Sequence, residues 1–162
     1  MNIRKFTLTD LPEIEEIYLN AREEMRRSGN SSQWGNHHPK RELLMEDIQR
    51  GSGYVMVKDN KICGVFAFIL GEDPTYAHIE GKWLNDEAYG TLHRIAGNGA
   101  EKGILSHALE FCSSICPNIK TDTHKDNKKM RYLLDKLGFT RCGIIYVDDG
   151  TARIAYQKKY GE

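Results

Sequence analysis

Residues 88–109 read AYGTLHRIAGNGAEKGILSHAL, and the fold turns on this stretch. Thr91 to Ile95 are β-tolerant and end in the small Ala96. Gly97, Gly99 and Gly103 then punctuate a loop, with Gly90 ahead of the strand. Ile104, Ala108, Leu109 and Phe111 follow at helical spacing. A strand that turns through glycines into a helix start is an anion-binding device. Free backbone N–H groups and the positive end of the helix dipole converge there. Glycine lets phosphate oxygens approach those amides. The loop is not a Walker loop, since no Gly-Lys-Ser/Thr closes it, and its glycines are spaced wrongly for Gly-x-Gly-x-x-Gly. A tight turn with no ligand would show the same pattern.

The flanking chain reads as alternating strands and helices. Asn2 to Phe6 is a first strand, followed by a helix to about Arg27 with Thr9 or Asp10 as cap and Glu13 placed for a capping box. Residues 28–39 form a polar loop that holds Trp34, which either lines a pocket or plugs the loop to the core. His37 and His38 read as solvated loop residues. Lys40 to Arg50 is a second helix. Gly53 to Lys58 and Ile62 to Leu70 are strands joined at Asp59-Asn60. The apolar run Val65–Ile69 predicts a central strand covered on both faces. An insert with Tyr76, Glu80, Trp83 and Tyr89 carries a short strand near Ala77 to Glu80. It is the place expected for acceptor recognition. After the loop come a helix from Ala100 to Ile115, a strand from Ile119 to His124, and a helix opened by Asp126 or Asn127 and closed at Gly138. Two strands, Phe139 to Val147 and Thr151 to Lys158, flank Asp148-Asp149-Gly150. This order predicts an α+β fold: a central mixed, mostly antiparallel sheet flanked by about four helices.

The length fits a single domain over residues 1–162. Lys plus Arg number 23 and so do Asp plus Glu, which argues against a dedicated nucleic-acid or anionic-membrane binder. The four cysteines read as buried free thiols, and no Cys/His set completes a zinc site, so no metal is expected. With no signal-peptide pattern and no long apolar span, the expectation is a soluble, cytoplasmic protein.

At the level of motifs the chain resembles the GNAT-type N-acetyltransferases over essentially its whole length. Leu92–Leu109 is similar to the family's strand and R/Q-x-x-G-x-G/A loop. Asn127-Lys-Lys-Met-Arg-Tyr-Leu-Leu-Asp-Lys-Leu-Gly-Phe139 is similar to its N-x-x-A-x-x-x-Y-x-x-x-G-F. Ala100 stands where the family has Arg or Gln, Leu105 where it has Gly or Ala, and Leu134 where it has the tyrosine that protonates the leaving thiolate.

The resemblance implies transfer of the acetyl group of acetyl-CoA to a primary amine of a small molecule or amino acid. It implies that Ile95 and Ala96 pair with pantetheine, that Ala100, Glu101, Lys102, Gly103, Ile104 and Leu105 receive the pyrophosphate, and that Asn127 and Met130 contact the cofactor arm. It also allows a homodimer. A base must deprotonate the amine. His93 is preferred, because imidazole is the side chain that titrates near neutrality, and alternation places it with Tyr89, Thr91 and Ile95 on one face. A core histidine bonded to a backbone carbonyl is the other reading. Glu80 is the second candidate, or else a solvated strand-end carboxylate. Tyr132, His124, Tyr146 or a water could serve as acid. Tyr132 lies about 200° around the helix from Leu134, so His124 is preferred. Trp34, Tyr76, Trp83 and Tyr89 suggest an aromatic acceptor pocket. A non-catalytic acyl-CoA-binding or regulatory domain is the competing reading, motivated by Ala100 and Leu134.

Overall fold

The computed structural model describes residues 1–35 and 37–161. In chain order the elements are β1 (Asn2–Lys5), α1 (Leu11–Arg27), α2 (Arg41–Arg50), β2 (Gly53–Lys58), β3 (Lys61–Leu70), β4 (Glu80–Gly81), β5 (Gly90–Gly97), α3 (Ile104–Ile115), β6 (Asn118–Thr123), α4 (Lys128–Lys136), β7 (Thr140–Tyr146) and β8 (Ala152–Lys159). The strands form one sheet in the order β1-β2-β3-β5-β6-β8-β7-β4. Every neighbouring pair is antiparallel except β5 and β6. This is the expected α+β fold with a mixed, mostly antiparallel sheet.

Local chemistry explains most of these elements. Asp59 and Asn60 both take positive φ, 52° and 64°, which closes the β2–β3 hairpin as such a two-residue turn requires. The apolar run of β3 is buried on both faces. On one face α1 and α2 cover Val55, Val65 and Ala96, joined by Ile14, Tyr18 and Trp34. On the other, α3 and α4 cover Met56, Phe66, Leu92, Ile119 and Tyr156. Gly64 and Gly97 are cross-strand partners. A Cβ on either would press against Ile104, at 3.2 and 3.1 Å, so these glycines let the start of α3 sit close to the sheet.

Four details differ from the sequence reading. The helix expected from Ala100 begins at Ile104, because Gly103 adopts φ 75° as its N-cap and leaves 100–103 as loop. The short strand lies at Glu80–Gly81, because Pro74–Tyr76 forms a 3-10 turn that Ala77 caps. Glu13 makes no capping box; its carboxylate accepts the Ile62 N–H at 3.1 Å and ties α1 to β3. Asp10, one of the two caps expected, is the N-cap residue of α1, and its carboxylate accepts the Thr7 N–H at 2.8 Å.

The fourth difference decides the site. Phe66 of β3 stands opposite two residues, Arg94 and Ile95, since Val65 pairs with Ala96 and Ala67 with His93. This is a β-bulge, with Arg94 at φ 53°. It breaks the alternation that would have put Ile95 beside His93. Ile95 packs instead with Leu92 against the α3 and α4 cluster. His93 faces Tyr76 across the opposite side of the sheet, with ring centroids 6.3 Å apart.

Candidate functional site

β5 and β6 pair only at Gly90–Ile119 and Thr91–Lys120. Beyond Thr91 the two parallel strands part, and the backbone of residues 92–97 has no strand partner on that side. Thr121 Oγ1 donates to Leu92 O at 2.9 Å just where they separate. A cleft of about 540 Å³ opens there. Its walls come from residues 92–95 of β5, residues 121–123 of β6, the loop 32–35 with His38, Met130 and Leu134 of α4, and residues 147–149 of the last hairpin.

One end suits a phosphorylated, thioester-bearing arm. Gly103 has no side chain to cap α3, so the first amides of that 12-residue helix are free to bind an anion. Lys102 is exposed beside them, and Glu101 is held by Lys58 at 2.9 Å. Ile95, Leu105, Asn127 and Met130 line the cleft. Ala96 is buried in the α1 and α2 cluster. The unpaired strand edge and the uncapped helix start together fit acetyl-CoA. Leu134 is fully buried and lines the cleft, so leucine occupies the place where the resemblance puts a tyrosine.

At the other end His93 meets a carboxylate. Its Nε2 lies 3.0 Å from Asp73 Oδ2. Asp73 caps the turn Pro74–Tyr76, accepting the Thr75 N–H at 2.9 Å, and its own N–H donates to Tyr89 Oη at 2.8 Å. The hydrogen bond from His93, more than offsetting burial, holds the Asp73 carboxyl below its usual range. An ionised carboxylate only accepts, so Nε2 carries the hydrogen and Nδ1 keeps the lone pair. Beside it, Tyr76 Oη donates to Asp122 Oδ1 at 2.5 Å. Burial first, then Asp122, pushes the Tyr76 phenol well above its usual range, so it stays protonated.

The four aromatic residues separate. Trp34 and Tyr76 line the cleft. Trp34 is also packed edge-on against Tyr18, so it both lines the pocket and anchors its loop. Trp83 and Tyr89 instead enclose Lys120, whose ammonium lies 4.1 and 3.9 Å from their ring centroids. They hold the chain's own cation rather than facing the cleft.

Other candidates lie elsewhere. Glu80 is exposed on the edge strand β4 and accepts from Tyr146 Oη at 2.9 Å. His124 is buried outside the cleft lining, its Nδ1 accepting the Asp126 N–H at 3.1 Å. Tyr132 is 63% exposed on the outer face of α4. Conversely His38, read as a solvated loop residue, lines the cleft with its ring beside Trp34. No group of three or more His, Cys, Asp or Glu among the described residues could hold a metal ion.

Sequence reasoning missed Asp73, Asp122, Arg153 and Gln33. Only Asp73 carried a local signal, as an Asp-Pro pair at the start of a turn. Gln33 ties the two ends of the site together. Its Oε1 accepts from Asn30 Nδ2, Thr123 Oγ1, the His124 N–H and Asn127 Nδ2, at 3.1 to 3.3 Å. Gln33→Ala is therefore expected to cost about 1–3 kcal/mol of stability in urea unfolding. Gln33→Glu should stay within about 1 kcal/mol of the parent, because all four contacts are donors that a carboxylate also accepts. An alanine variant as stable as the parent would make the hub incidental.

A split mixed sheet with an uncapped helix start at its opening defines an acyltransferase fold. No family model matches the sequence, and no curated protein matches it. Among solved structures, a GNAT-family acetyltransferase of Streptococcus agalactiae 2603 is 31% identical, with 99% of this chain and 96% of that chain covered and a TM-score of 0.89. A GNAT-family acetyltransferase of Listeria monocytogenes 4b F2365 is 19% identical over 98% of this chain and 94% of that one, TM-score 0.72. A ribosomal-protein-alanine N-acetyltransferase of Brucella melitensis is 17% identical over 98% and 99%, TM-score 0.65. The chain belongs to the GNAT family of acetyltransferases.

Proposed function

We propose that this protein transfers the acetyl group of acetyl-CoA to the primary amine of a small molecule. The observation that carries the reading is the His93–Asp73 pair at 3.0 Å, set on the cleft opened by the parting of β5 and β6. The unpaired edge at Ile95 receives the pantetheine arm as an added strand would. The free amides at the start of α3, with Lys102, receive the pyrophosphate. Bound there, acetyl-CoA supplies a thioester carbon whose C–S bond breaks as the N–C bond forms, the sulfur leaving with the electron pair.

His93 Nδ1 takes one proton from the acceptor's ammonium, which exposes the nucleophilic lone pair. Asp73 holds the ring and stabilises the imidazolium that forms. A backbone N–H near Ile95 donates to the oxygen that becomes negative during the transfer. Leu134 donates no proton, and the thiolate is a stable enough leaving group to depart without one; the attacking nitrogen loses its second proton to water as the amide forms.

Titration calorimetry with acetyl-CoA, with NADH and ATP as controls, is expected to show low-micromolar binding of acetyl-CoA alone. A screen of amines for thiol release then reads the transfer. Absence of acetyl-CoA binding would remove the reading. Binding without thiol release from any amine would favour a non-catalytic acyl-CoA-binding domain, which Leu134 in the cleft supports.

A further inference from the structure

We propose that the acceptor end of the cleft carries a carboxylate subsite built by Arg94 and Arg153, so that the acceptor is an amino acid. The proposal rests on the N-acetyltransferase reading above and deepens it.

Both arginines line the cleft. Their side chains are only 10% and 12% exposed. Each carries a buried Nε–H with no partner among the described residues. Arg94 spends Nη2 on the two oxygens of Asp47. Arg153 spends Nη2 on Gln33 O at 3.0 Å, while its Nη1 stands 3.5 Å from Asp122. Buried donors left unmade are costly. A carboxylate, flat and with two accepting oxygens, is the group whose geometry a guanidinium edge matches.

The field of the pocket points the same way. Much of His38 as a residue is exposed, yet its imidazole sits in the cleft, and burial there pushes it down to about 4. Arg94, Arg153 and Arg22 push it the same way, so the fixed charges that act on it are cationic.

Asp122, Asp148 and Asp149 line the same cleft, and Asp73 stands behind His93. These carboxylates disfavour a doubly charged phosphate and favour an ammonium. A zwitterion satisfies both ends: its ammonium lies toward His93 and the aspartates, its carboxylate toward the two guanidinium groups.

The test compares each common amino acid with its carboxamide, as acceptor in thiol release and as ligand in calorimetry with coenzyme A present. The wild type is expected to prefer the free acid by about tenfold or more in kcat/KM for its best acceptor, and to show the same order in binding. Arg153→Gln should collapse that ratio to within about threefold, and Arg153→Lys should keep part of it. The wild-type comparison needs no variant, so misfolding of Arg153→Gln cannot obscure it. A ratio near one in the wild type overturns the proposal. So does a change in acetyl-CoA KM alone on Arg153→Gln. Thiol release from no amine, with calorimetric preference for the acid intact, would overturn the catalytic reading and leave the subsite standing.

Discussion

His93→Gln is expected to lower kcat by about 10²- to 10⁴-fold while the protein stays folded. The geometry separates chemistry from structure. His93 Nε2 and the Asp73 carboxylate are 3.0 Å apart, and a glutamine amide can still donate to that carboxylate. What glutamine lacks is the lone pair on Nδ1 that takes the ammonium's proton. Asp73→Asn tests the orientation of the ring. Its amide can donate to Nε2, which moves the ring hydrogen to Nδ1, the side that must be free, so kcat should fall here too. Stability separates the two roles again. The folded Asp73 carboxyl lies below its unfolded value. Its contribution is therefore complete above about pH 4 and is lost as pH falls through the lower folded value. Around neutrality that contribution is complete, so the fold of an Asp73 variant is checked alongside its rate. Thiol release at saturating acceptor, followed beside circular dichroism, makes the measurement. A kcat for His93→Gln within about threefold of the parent would leave His93 a structural residue.

What could be read from the chain and what could not divide by distance along it. The β2–β3 hairpin, the apolar β3 and the glycines around β5 are local signals, and they placed the strands and helices in order. The uncapped start of α3 was legible for the same reason, displaced to Ile104 only because Gly103 takes positive φ. The site depends on pairs far apart. His93 meets Asp73 20 residues away, Arg94 meets Asp47 47 away, and Gln33 meets Asn127 94 away. No spacing announces such partners. Aromatic residue types alone could not separate Trp34 and Tyr76, which line the cleft, from Trp83 and Tyr89, which hold Lys120. Alternation failed at Ile95 because the bulge sits on an arginine, a residue with no intrinsic preference for φ 53°.

That bulge rests on a buried ion pair, and breaking the pair is expected to produce the largest loss of stability in the molecule. Asp47→Ala should cost about 3–5 kcal/mol, because it leaves a largely buried guanidinium without its counter-charge. Asp47 is 4% exposed in its side chain and Arg94 10%, with contacts of 2.7 and 2.9 Å. Burial pushes the Asp47 carboxyl up, and Arg94 holds it back. The pair is thus maintained at a desolvation cost, which points to shape as its role. Tyr18 Oη donates to Arg94 O at 2.6 Å, so α1 and α2 grip the same residue, one by its backbone and the other by its side chain. Together they offset a left-handed backbone angle that a non-glycine residue disfavours. Arg94→Gly separates these effects: it relieves the backbone and orphans Asp47, so its loss should be smaller than that of Asp47→Ala. Replacing both members with apolar residues of similar size should recover much of the stability. It should not recover activity, because Arg94 also lines the cleft. Urea unfolding with thiol release on the same samples measures both quantities. Single variants within about 1 kcal/mol of the parent would mean that the bulge is held by Tyr18 and the sheet alone, and that the arginine is present only for the substrate.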